Sequence, residues 1–197
     1  MKVLPKISYS FIDPIKRHRT FVCLMLILIS VCIFCAIMAG IKFNNSTLII
    51  SFNNVTVVKF LRGNSGLGGM IFTNFLTIAI FSAIIIVSCC KKYTISIGIF
   101  FYCYYVYVQT LVLIAFVLEY GIINTLVIAF CILIFMLLTI FLMLQLFLIC
   151  LECQTSYQYL KTSTINCIPI LIFIMGVLIV QALTFFVLKS YIIILVY

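Results

Sequence analysis

Five long stretches without a charged residue constrain this chain more than any other feature. They lie between Arg19 and Lys42 (22 residues), Arg62 and Lys91 (28), Lys92 and Glu119 (26), Glu119 and Glu152 (32), and Lys161 and Lys189 (27). A helix needs about 20 mostly apolar residues to cross a hydrocarbon core of about 30 Å. Each stretch is therefore long enough for one crossing and too short for two crossings with a loop between them. Composition says the same: 67% of the 197 residues are hydrophobic, 8% are charged, and the mean hydropathy is +1.44. A soluble domain carries about 25% charged residues, so a soluble globular fold is excluded.

The expected fold is all-α, a polytopic transmembrane helix bundle of about five spans. A basic lead at 1–20 precedes a first span at 21–41, a loop at 42–69, a four-helix region at 70–188 and a tail at 189–197. Within the four-helix region the spans fall at about 70–90, 93–118, 122–150 and 167–188. The connections at Lys91-Lys92 and at Glu119-Tyr120-Gly121 are so short that the helices they join must run antiparallel. The fourth run is longer than a bilayer core requires, so it is expected to tilt, break or emerge from the membrane. In the loop, the runs at 47–52 and 55–60 flank Asn53-Asn54, which suits either a hairpin or an interfacial helix. The glycine-rich stretch from Gly63 to Gly69 lacks the Lys-Ser/Thr of a phosphate loop and reads as a flexible lead-in to the second span.

Orientation follows from the basic residues. Lys2, Lys6, Lys16, Arg17, Arg19, Lys91, Lys92 and Lys161 fall on one side, and Lys42, Lys59, Arg62 and Lys189 on the other. The positive-inside rule places the N-terminus in the cytoplasm of a cell-membrane protein. The net charge of +9 is distributed between apolar runs, so it fits lipid headgroups and not a nucleic-acid partner.

Several chemistries lack their residues. No Asp, Glu or His lies inside any span, the only His is His18, and the only Asp is Asp13. A metalloprotease helix, an aspartyl dyad, a Ser–His hydrolase and a proton relay all need such groups in the membrane. The expectation is a protein that is not an enzyme, with no catalytic residue, cofactor or metal. Of the ten cysteines, Cys89, Cys90, Cys150 and Cys153 gather at the cytoplasmic span ends. Without a His or a tight loop they read as tolerated boundary residues before soft-metal ligands.

Polar residues inside the spans are the best site candidates. Asn74 and Thr77 sit in the second span, Tyr102, Tyr105 and Gln109 in the third, Gln145 in the fourth and Gln181 in the fifth. Tyr102, Tyr105 and Gln109 share one helix face. Unpaired amides are costly in hydrocarbon, so these groups are expected to face one another. Either they form an interhelical seam that holds the bundle, or they line a wet cavity or a partner helix. Outside the spans, Tyr157, Tyr159 and Leu160 in the segment 154–161 are candidates for contact with a cytoplasmic partner.

The order of features resembles the stage II sporulation protein M family of small five-span bacterial membrane proteins. The resemblance rests on a first span ending in Ala39-Gly40 and on Thr73-Asn74-Phe75-Leu76-Thr77 opening the second. It rests also on the Leu118-Glu119-Tyr120-Gly121 turn and on the closing Leu188-Lys189-Ser190-Tyr191-Ile192. Lys189 stands where the family carries an acid, and 102–118 has no glycine where the family's third span is glycine-rich. The resemblance implies a non-catalytic scaffold or complex subunit of the sporulation and engulfment type, partnered with cell-wall remodelling proteins. Relatives beside ABC transporters and in bacteriocin export and immunity clusters imply the alternative, a membrane subunit with ATPase or other membrane partners.

Overall fold

The computed structural model describes residues 13–42, 66–120, 122–153 and 159–196. A short helix α1 (Asp13–Arg17) leads into α2 (Arg19–Lys42), and α3 spans Leu67–Ser88. A 3-10 turn at Lys92–Thr94 opens α4 (Ile95–Tyr120), which is followed by α5 (Ile122–Cys153) and α6 (Tyr159–Val196). No strand occurs among the described residues. In lipid every backbone N–H and C=O must find a partner within the protein, and a helix satisfies nearly all of its own. Five of the helices are long and apolar enough to cross a membrane. The chain is an all-α, multi-pass membrane protein.

Helix bounds move where apolarity and helicity part company. Leu67, Gly68 and Gly69, which the sequence suggests as a flexible lead-in, form the first turn of α3, where Met70 N–H donates to Gly66 O at 3.1 Å. The fifth apolar span, Ile165–Leu188, lies where the sequence puts it, but the helix that carries it begins at Tyr159, and at about 1.5 Å per residue its 38 residues run far beyond a bilayer core. Pro169 inside it removes one backbone donor. The loop expected to form a hairpin or interfacial helix at 47–60 lies outside the described residues.

The α3–α4 connection shows how a short link is closed. Cys89 caps α3 by donating its N–H to Ile85 O at 3.1 Å. The Thr94 hydroxyl then lies 2.6 Å from Ser88 O, a carbonyl at the helix end, and 2.9 Å from Lys91 O, which also accepts the Thr94 N–H at 3.1 Å.

α4 packs against α2, α3 and α5, whereas α5 packs against α3, α4, α6 and α1. The α2 contact uses a stripe of Val22, Met25, Ala36 and Gly40, all buried. A side chain at Gly40 would meet Ile114 Cγ2 at 2.7 Å, so glycine lets α2 and α4 approach. The opposite face of α2, with Leu24, Ile27, Val31 and Phe34, is exposed for lipid.

α5 changes character along its length. Phe130, Ile134, Leu137 and Phe141 are exposed, but every residue from 142 to 150 is buried. At this end α5 meets α1 and the start of α2 as well as its other neighbours. Phe21 packs on Phe147 with ring centroids 5.3 Å apart, and Arg17 pairs with Glu152 at 3.6 Å. With Arg17 largely exposed, that pair adds less than about 1 kcal/mol; the aromatic and aliphatic packing does most of the holding.

Five spans, the number found among the described residues, put the two chain ends on opposite sides. With the basic lead inside, alkaline phosphatase fused after Tyr197 should be active and a fluorescent protein fused there dark. The reverse pattern would overturn the orientation or the count.

Candidate functional site

Four helices line a partly open cavity of about 190 Å³ within the spans. α3 contributes Asn74, Thr77 and Ile78, and α4 contributes Tyr105, Val108, Gln109 and Val112. α5 contributes Ile132, Phe135, Met136 and Thr139, while α6 contributes Leu178, Gln181 and Phe185. Each set repeats at three- and four-residue intervals, the spacing of a single helix face. The walls are thus a product of helical periodicity, with the polar residues placed among aliphatic ones.

The structure brings together Asn74, Thr77, Tyr105, Gln109 and Gln181, five of the intramembrane residues singled out from the sequence. The amides of Asn74, Gln109 and Gln181 make no hydrogen bond to another side chain among the described residues. Thr77 and Thr139 donate to their own helices, at Thr73 O (2.9 Å) and Phe135 O (2.7 Å). Their lone pairs stay available as acceptors. Tyr105 is steered by Phe81, whose ring meets it edge-on at 5.1 Å.

Tyr102 and Gln145 are not among the lining residues. Tyr102 is buried, and its hydroxyl donates to Ile140 O at 3.0 Å, which ties α4 to α5. Gln145 is also buried, in the fully enclosed part of α5, and its Nε2 has no hydrogen-bond partner among the described residues. Of the proposed partner-contact residues, Tyr157 lies outside the described residues, and Tyr159 and Leu160 form the start of α6.

Thr139 is the cavity hydroxyl that the sequence reading misses. The signal was present, since it is a lone hydroxyl in the middle of a long apolar run. A second omission is Cys167. Its Sγ lies 3.7 Å from Cys150 Sγ across the α5–α6 interface, and Asn166 Nδ2 donates to Cys153 Sγ at 3.4 Å. Nevertheless, no group of three metal-ligating side chains forms among the described residues. At the α3 end, burial pushes the Cys90 thiol above its ordinary range; neighbouring Cys89 adds to this and Lys91 opposes it.

The Cys150–Cys167 approach yields a direct check on helix pairing. In a variant retaining only these two cysteines, with a protease site placed in 154–158, copper-phenanthroline oxidation should keep α5 and α6 in one band after cleavage. Two separate fragments under non-reducing conditions would overturn the pairing.

Fold and site together define a class: an all-α multi-pass membrane protein with a polar-lined cavity between four of its spans. Comparison with protein-family models, curated proteins and solved structures finds no match.

Proposed function

We propose that this chain is a non-catalytic membrane subunit of a transport system. In this reading it holds a solute in the cavity between α3, α4, α5 and α6, while a partner chain supplies the energy. One observation carries the reading: the amides of Asn74, Gln109 and Gln181 border shared space and do not pair with one another. A bundle that served only as a scaffold gains nothing from three partly buried amides that, among the described residues, make no side-chain hydrogen bond. A solute that takes up those hydrogen bonds supplies a reason for them. None of the lining residues is an acid, a base or a histidine, which favours binding over proton relay or catalysis. The segment 154–161, with Tyr157, Tyr159 and Leu160, is the candidate contact for an ATPase in this reading.

The sporulation-type scaffold stands as the second reading, supported by the layout resemblance. A gentle-detergent pull-down of tagged protein from native membranes separates the two. Recovery of a nucleotide-binding ATPase supports the transport subunit. Recovery of cell-wall hydrolases or other sporulation membrane proteins overturns it in favour of the scaffold. A bait without partners overturns both and leaves a self-contained immunity or pore protein.

A further inference from the structure

We infer that the cavity takes a small, uncharged solute that both donates and accepts hydrogen bonds, of polyol or primary-amide type; this rests on the transport-subunit reading. Three features of the lining define the class.

The first is charge. The six polar lining groups are three carboxamides, two aliphatic hydroxyls and one phenol. Moving an ion into such a site without a counter-charge costs far more than neutral hydrogen bonds return. The charged side chains sit at helix ends, as the Arg17–Glu152 pair does, and cannot serve as counter-ions within the spans.

The second is hydrogen-bonding polarity. Each carboxamide presents a donor and an acceptor. Thr77 and Thr139 have spent their donors on Thr73 O and Phe135 O, so they offer only lone pairs. A solute that only accepts, such as a ketone or ether, leaves those oxygens unmatched. A solute carrying O–H or N–H groups as well as acceptors satisfies both kinds of partner.

The third is size. The volume is about 190 Å³. An apolar cavity of about 150 Å³ accommodates benzene, so this one takes roughly six to eight non-hydrogen atoms. Ile78, Ile132 and Leu178 supply an aliphatic wall for the carbon skeleton.

The test uses three probes matched in number of non-hydrogen atoms: neutral glycerol, anionic lactate and cationic aminopropanediol. Saturation-transfer NMR is recorded on the full-length protein in mild detergent micelles at neutral pH, with protein-free micelles as the blank. Glycerol should give a saturable signal, with lactate and aminopropanediol weaker on the order of tenfold or more. The signal should vanish in the Gln109→Leu/Gln181→Leu double variant. It should also vanish in Val108→Phe, which fills the cavity and leaves every polar group in place. Unfolding temperature checks that each variant is folded; among the described residues the two amides hold no side-chain partner to lose. A charged probe binding as well as glycerol overturns the inference. So does the absence of any saturable signal, or a glycerol signal that survives both variants. The transport reading fails separately: glycerol binding together with recovery of scaffold partners keeps the solute class and removes the transport role.

Discussion

A Gly98→Leu chain is expected to unfold in mild detergent at a clearly lower temperature than the parent, at a cost of about 3 kcal/mol. Gly98 is buried in the first turns of α4, where the α3–α4 link brings two helices together. Even a Cβ there would overlap Ser88 Oγ and come within 3.1 Å of Phe147 Cε2. Neither neighbour can give way easily. Ser88 Oγ is held by its hydrogen bond to Ile85 O at 2.9 Å, and fully buried Phe147 is backed by the Phe21 ring. Gly98→Ala should cost about 1 kcal/mol, and adding Ser88→Gly should restore part of it. Thermal unfolding followed by circular dichroism reads all three. An unchanged transition for Gly98→Leu would mean that α3 and α4 do not meet this closely.

Gln145→Leu is expected to act in the opposite direction, raising stability by about 1–2 kcal/mol. The donor at Nε2 is enclosed and has no hydrogen-bond partner among the described residues. Replacing an unsatisfied buried polar group by an apolar one of similar shape removes a desolvation cost without breaking a bond. Leucine fits the surroundings, since the neighbouring positions from 142 to 150 are apolar and buried. Guanidinium or thermal unfolding of the parent and the variant, measured side by side, decides the sign. A fall in stability would show that the amide has a partner that matters.

These two glutamines also show where sequence reasoning reaches its limit. Gln109 and Gln145 look alike in the sequence: single amides within apolar runs. One borders the cavity and the other is sealed in packing. Periodicity places residues on a face of their own helix but is silent about which helix lies opposite. Periodicity puts Tyr102, Tyr105 and Gln109 on one face of α4. The division of that face between a packed contact at Ile140 and the cavity wall was not legible. The spans themselves were legible because charge marks where lipid ends. Their limits were less so, since hydropathy reports contact with lipid and not helicity; α6 continues through Lys161 back to Tyr159. The Cys150–Cys167 approach was hidden for the same reason as the cavity, because it depends on the pairing of α5 with α6.

The change of surroundings along α5 has a mechanical consequence. A rod gripped all round over one part of its length and from one side over the rest has more freedom in the second part. In α5 the all-round grip covers 142–150, whereas Ile132, Met136 and Thr139 are buried on one face while Phe130, Ile134, Leu137 and Phe141 are exposed on the other. The cavity wall therefore belongs to the stretch held from one side, apart from the aromatic contact of Phe21 with Phe147. All-round packing and the cavity wall thus fall on different stretches of one continuous rod.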